Sequence, residues 1–276
     1  MGIDLKNFGE NTMQSERLTC ANCIAVLSIS LLCLFFTTPA LAADATAIMQ
    51  QVYNRAEGED RTSTMTMTLE NKQGRQRVRS LMSYSKNYGP DRKSIMMFQA
   101  PGDVKGTIFL SWEYDDPKHE DDKWLYMPAM KKDRRISGNS RNEYFMGSDF
   151  TYDDMGRRHP SKDRYTFLGE EQFMGHDCWK IEAVPIEPET YTKRVLLVGK
   201  DANLILKGEY FDKDGLEKVF EAKEVRKIDG FWTMLTSQMT NLSREHKTLL
   251  HTQDMQYNKG LDDGLFTVTT LQRGRL

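Results

Sequence analysis

The amino-acid sequence predicts a mainly β protein, with one N-terminal helix followed by a long antiparallel meander, open or closed. Three observations carry this. Apolar spacing changes from helical to alternating after Gly58. Tight-turn sequences join successive strand-like runs. No long helical stretch separates those runs, as a parallel α/β sheet would require.

The elements follow in order. Residues 43–58 place Ile48, Met49, Val52, Tyr53 and Ala56 on one helical face, and Gly58 is the stop. Met65, Met67 and Leu69 then alternate with threonines. Asn71-Lys72-Gln73-Gly74 turns the chain, and Val78, Ser80, Met82 and Tyr84 alternate with Arg77 and Arg79. Runs at 94–99, 107–114 and 124–127 continue the pattern, with Ile108, Leu110, Trp112 and Tyr114 on one face. The second half repeats this grammar at 165–170, 178–184, 192–198, 204–211, 216–227, 231–243 and 247–257. Its turns are explicit at 199–203, Asp212-Lys213-Asp214-Gly215 and Asp229-Gly230; Asp-Gly is a strong hairpin signal. With no repeat of fixed period and no Pro- or Ser-rich linker, residues 43–276 read as one domain.

Residues 1–42 read as a secretory signal. Arg17 precedes the uncharged, mostly apolar run Cys20–Phe36, and Pro39-Ala40-Leu41-Ala42 supplies a small-x-small cleavage site before Ala43. No lipobox precedes Cys20, Cys23 or Cys33, so the expected product is an exported soluble form in a Gram-negative-type periplasm. That form keeps one cysteine, Cys178, beside Trp179. It has no partner for an internal disulfide, and the strand-like context reads as a small buried hydrophobe.

Composition narrows the function classes. The full chain has 38 basic and 40 acidic residues among 276, and a duplex nucleic-acid binder normally carries a basic excess. Catalytic signatures such as G-x-S-x-G, a Walker loop, G-x-G-x-x-G and H-E-x-x-H are absent from the sequence, so no catalytic residue, cofactor or metal is expected. His246 and His251, five apart in a strand, point to opposite faces. The acidic run 115–122 lacks the ordered ligands of a calcium loop.

Two features remain. The segment Pro128–Arg164 breaks the alternation and carries nine basic and six acidic residues. It reads as a loop and a short helix over the sheet, with Ser148 as N-cap. The chain after residue 42 also holds 14 methionines, several of them on strand faces with aromatics: Met65, Met67, Met82, Tyr84, Met96, Phe98, Met127, Met234 and Met239. Methionine adapts to varied apolar ligands, and it also fills ordinary cores.

The string Trp124-Leu125-Tyr126-Met127-Pro128, Lys132, Arg134-Arg135-Ile136, Gly147-Ser148-Asp149-Phe150 and Tyr152-Asp153-Asp154 resembles the LolA-like family of outer-membrane lipoprotein-sorting proteins, in its largely uncharacterised periplasmic branch. Phe98-Gln99-Ala100-Pro101 and Lys105-Gly106-Thr107 belong to the same resemblance, which covers about 43–258. It implies a curved, incomplete antiparallel barrel with helices over its concave face. The implied function is a carrier that shields lipid or lipoprotein acyl chains in a hydrophobic hollow. The alternative is a periplasmic adaptor beside an RND-type exporter or another envelope complex.

Two sets of site residues follow as expectations. Met65, Met67, Leu69, Met82, Tyr84, Leu110 and Trp112 form the more apolar strand faces and are assigned to the cavity. Lys132, Arg134, Arg135 and Arg141 are assigned to its mouth, facing headgroups or an acidic partner. Internal pairing with Asp133, Asp149, Asp153 and Asp154 stands beside that second assignment.

Overall fold

The computed structural model describes residues 43–274. The leader expected over 1–42 and its cleavage site lie outside the described residues. Helix α1 (Ala45–Tyr53) opens the described chain, with the Asp44 side chain capping it by accepting from the Thr46 and Ala47 amides. Six strands follow: β1 (Asp60–Glu70), β2 (Gln76–Tyr88), β3 (Asp91–Ala100), β4 (Ile108–Glu113), β5 (Asp122–Met127) and β6 (Lys132–Ile136). Seven more come after a crossover at 137–162: β7 (Asp163–Phe173), β8 (His176–Pro185), β9 (Lys193–Gly199), β10 (Ile205–Asp212), β11 (Gly215–Ile228), β12 (Phe231–Asn241) and β13 (His246–Tyr257). Helix α2 (Val268–Arg273) closes the described chain.

All thirteen strands form one antiparallel sheet in the order β6-β5-β4-β3-β2-β1-β13-β12-β11-β10-β9-β8-β7. It is a curved, incomplete barrel: β6 and β7 are its edges and do not pair with each other. Turn chemistry sets the hairpins. Asp229 and Gly230, for example, both hold positive φ between β11 and β12, as a two-residue turn of that kind requires.

Each half of the sheet has its own cover. On the inner face Met67, Leu69, Leu81, Phe98, Phe109 and Leu125 pack against Phe145, Phe150 and Tyr152 of the crossover. Helix α1 sets Ala45, Ile48 and Met49 against Ile181, Ala183, Leu196 and Val198 of β8 and β9. The outer face of β3 and β4 is covered instead by the C-terminal segment, whose Phe266 and Leu271 pack on Ile95, Ile108 and Leu110. Asp60 fixes the start of that segment by accepting from the backbone amides of Lys259, Gly260 and Leu261.

Two elements differ from the sequence expectation. Residues Lys132–Ile136 form an edge strand. The short central helix takes the form of 3-10 turns, Gly138–Asn142 and Phe145–Gly147, so Ser148 caps no α-helix. Positive φ at Met146 and Gly147 instead sends the chain down onto the sheet. There Asp149, fully buried, accepts from Thr248 Oγ1 (2.7 Å) and Arg244 Nη1 (3.3 Å) and meets His246 Nδ1 at 2.7 Å. Its own amide donates to Thr248 Oγ1 at 3.0 Å.

The cost of losing this anchor is predictable. Asp149→Ala leaves buried Thr248 and His246 without their acceptor, and it should lower unfolding stability by about 3 kcal/mol. Urea unfolding checks this: a midpoint within error of the wild type would show that the crossover is held by packing alone.

Candidate functional site: an inner cavity

Between the second half of the crossover, α1 and the 186–191 loop lies a cavity of about 960 Å³. Its floor is the inner face of the second half of the sheet: Ala183, Leu196, Ile205, Tyr210, Phe220, Met234 and Met239. Met49 and Val52 of α1 and Phe150 of the crossover add apolar walls. The register explains the floor. Phe220 lies opposite Met239 and Gly208, and Gly208 lies opposite Leu196, so these residues share one face across four strands.

The rim is charged but balanced. Nine basic and eight acidic residues line the cavity. Arg158 Nη2 donates to Asp163 Oδ1 at 2.7 Å and to Glu189 at 2.9 Å, and Arg194 Nη2 donates to Glu189 at 3.0 Å. Arg61 and Arg92 meet Glu57 Oε2 at 2.9 and 3.0 Å, and Arg55 pairs with the other oxygen. Burial pushes the Glu57 carboxyl up, but Arg61, Arg55 and Arg92 outweigh it and hold the group well below the usual carboxylate range. The wall Tyr53, Arg55, Glu57 and Arg157 also borders a second, polar hollow of about 650 Å³.

Beside the floor, on the same face, sits a buried polar cluster, of which Tyr191 and Asp154 also line the cavity. Lys218 Nζ donates to Tyr191 OH at 2.8 Å, Tyr191 OH donates to Asp154 at 3.0 Å, and Tyr144 OH donates to Glu217 at 3.1 Å. Burial lowers the Lys218 ammonium and raises the Tyr191 phenol. Buried Asn241 donates to Tyr144 OH at 3.0 Å.

A family model described as an uncharacterised protein matches residues 90–273. A DUF1329 family protein from Desulfovibrio piger is 32% identical, with a TM-score of 0.77 over 83% of this chain and 96% of its own. The chain belongs to the DUF1329 family. An outer membrane lipoprotein-sorting protein domain from Vibrio parahaemolyticus is 33% identical, with a TM-score of 0.77 over 83% of this chain and 98% of its own. A LolA superfamily protein from Nitrosomonas europaea shares the fold at 20% identity and a TM-score of 0.64, over 83% of this chain and all of its own. No curated protein matches.

Within this DUF1329 fold the seven expected cavity residues divide between two faces. Met65, Met67 and Leu69 are on the inner face, sealed in the core beneath the crossover. Met82, Tyr84, Leu110 and Trp112 are on the outer face, because Met82 and Tyr84 lie opposite Thr64 and Thr62 and not opposite the methionines. Leu110, Tyr84 and Trp112 pack with the C-terminal segment, and Trp112 Nε1 donates to Phe266 O at 2.9 Å. None of the seven lines the cavity. The error has a physical cause: β4 is buried on both faces, so its apolar side, Ile108, Leu110 and Trp112, need not be the inner one.

The four expected cations also divide. Arg141 lines the cavity and donates to Asp121 O at 2.8 Å. Lys132, Arg134 and Arg135 stand exposed on edge strand β6, where Arg134 donates to Glu143 at 2.7 Å and Arg135 pairs with Asp122. What the sequence reading missed as a site is the second half of the sheet. Met234 and Met239 signalled it, but the turn-rich strands around them looked ordinary.

Cys178 is fully buried, and burial raises its thiol pKa, so it lacks the thiolate character of a nucleophile. Among the described residues no group of three or more His, Cys, Asp or Glu side chains is placed to hold a metal ion.

The Glu57 network makes stability depend on pH in a definite direction. Its folded pKa lies below the ordinary 4.5, so its contribution is complete above that value and is lost as pH falls through the folded value. Glu57→Gln should therefore cost about 3 kcal/mol at pH 7 and flatten the acid limb below about pH 5. Denaturant midpoints measured across that range check it, and parallel wild-type and variant curves would contradict it.

Proposed function

We propose that this protein is a periplasmic carrier that holds the acyl chains of a lipid or lipoprotein in the inner cavity. One observation carries the reading: the apolar floor beneath α1 and the crossover leaves about 960 Å³ of space. A chain exposed to water costs about 0.8 kcal/mol per CH₂, and a hollow lined by Leu196, Phe220, Met234 and Met239 replaces that water without any catalyst. The likeness to a lipoprotein-sorting domain at 33% identity supports the same reading. So does the leader composition, which suits export. The balanced rim fits an amphiphile whose head stays near water, because the cavity arginines already have carboxylate partners. No catalytic role enters the proposal, and no observation favours an RND-type exporter as partner.

Protein purified without detergent should carry lipid detectable by mass spectrometry. Ile205→Trp, which fills space above the floor from a partly buried position, should weaken a fluorescent fatty-acid probe at least about tenfold with the fold intact by circular dichroism, in line with the loss of a few buried methylenes. Met67→Asp serves as contrast: it lies in the sealed core and should unfold the protein. Lipid-free protein together with unchanged probe binding by Ile205→Trp would refute the carrier.

A further inference from the structure

The two ends of the strands differ in charge. One end gathers the entry to β1, the β2–β3, β4–β5, β7–β8, β9–β10 and β11–β12 turns and the exit from β13. Residues 54–60, 88–91, 114–122, 173–176, 199–204, 228–231 and 257–263 there hold thirteen acidic residues and four basic ones. The opposite end is different across the β1–β6 half. Its three connections are 71–78, 101–107 and 128–132, and they hold six basic residues against one acidic, Asp103.

These three connections are neighbours in the sheet order. The 101–107 loop touches the next turn directly, since a Cβ added at Gly106 would stand 3.1 Å from Pro128 Cγ. Arg75, Arg77, Lys105, Lys131 and Lys132 are all exposed, and none pairs with an acidic group among the described residues. This contrasts with the cavity rim, whose arginines are held by carboxylates. Two large apolar side chains stand among these cations, Val78 at 53% and Met130 at 58% exposed. A membrane surface has a use for both features together: anionic headgroups for the cations and the acyl boundary for the apolar tips.

We propose that this end of the β1–β6 half docks on an anionic lipid bilayer, with Val78 and Met130 entering the headgroup boundary. The acidic end then faces away, because the same bilayer repels it. The occupant is chosen by charge complementarity: unpaired cations beside apolar tips fit a lipid surface carrying negative charge. Each contact is individually weak and screened by salt, so docking is reversible. The proposal is independent of the cavity, so either can fail alone.

Co-sedimentation with vesicles tests it. The full protein should bind vesicles of phosphatidylethanolamine and phosphatidylglycerol, mixed three to one, and should not bind phosphatidylcholine vesicles. Binding should weaken as salt rises. The triple variant Arg75→Glu, Lys105→Glu and Lys131→Glu should lose about tenfold or more, at an unchanged melting temperature. A second triple variant, Lys200→Glu, Lys227→Glu and Lys259→Glu, makes the same change of net charge near the acidic end and should bind as the wild type does. Val78→Ser with Met130→Ser should remove the part of binding that survives high salt. Equal losses in the two triple variants would reduce the effect to net charge and overturn the patch. Failure of the wild type to bind the anionic vesicles would overturn it outright, and binding of another protein through this end without vesicle association would do the same.

Discussion

The fold depends on one topological constraint. The chain leaves the centre of the sheet at β1, runs out to one edge at β6, and must resume at the opposite edge with β7 before returning to β13 beside β1. A single connection, 137–162, has to make that crossing, and its route over the inner face decides which strands are sealed and which are left open. Packing alone would let such a segment slide. Buried Asp149 stops this, because its carboxylate ties Thr248, His246 and Arg244 of β13 and its approach to one point under the crossover. The connection closes a dry core around Phe145, while Arg141 before it lines the cavity. The second half, from Phe150 onward, roofs the cavity with α1 as its opposite wall.

The electrostatics follow from that geometry. A crossover rich in both signs of charge, lying near buried strands, must pair its ions or lose their hydration without return. It does so at Lys123 with Asp121 and Asp153, at Arg158 with Asp163, and at Arg157 with Glu113. Gly156 makes one of these possible, since a Cβ there would come within 3.1 Å of Lys123 Nζ. The arginines near the cavity are thus all paired with carboxylates, whereas Arg75, Arg77, Lys105, Lys131 and Lys132 at the strand ends have no acidic partner among the described residues.

Much of this was legible in the sequence, because periodicity reports which side of an element is dry. The alternation in β1 and β11–β13 and the helical spacing of α1 are that signal, and Asp229-Gly230 reports its turn directly. Strand β6 escaped notice because four of its five residues are exposed and only Ile136 turns inward, so Lys-Asp-Arg-Arg has no apolar rhythm. Helix α2 spans six residues and buries only Leu271, which is too little for a periodic signal. The cavity was harder still. Whether an apolar strand face meets core, cover or empty space depends on what a distant segment lays over it, and that is written in the crossover and in the C-terminal segment, not in the strand.

The same reasoning changes the meaning of the G-S-D-F string. As a sequence motif beside arginines it invites a ligand-binding reading. In the fold each position has a structural duty instead. Gly147 holds positive φ so that the chain can turn down. Ser148, fully buried, accepts from the Phe150 amide. Asp149 anchors to β13, and Phe150 reaches both core and cavity. A motif with such duties can persist among proteins that hold different ligands, because it fixes where the hollow lies and leaves its lining free to vary. The chemistry of the cargo must then be read from Leu196, Tyr210, Phe220 and Met239, four residues outside the motif.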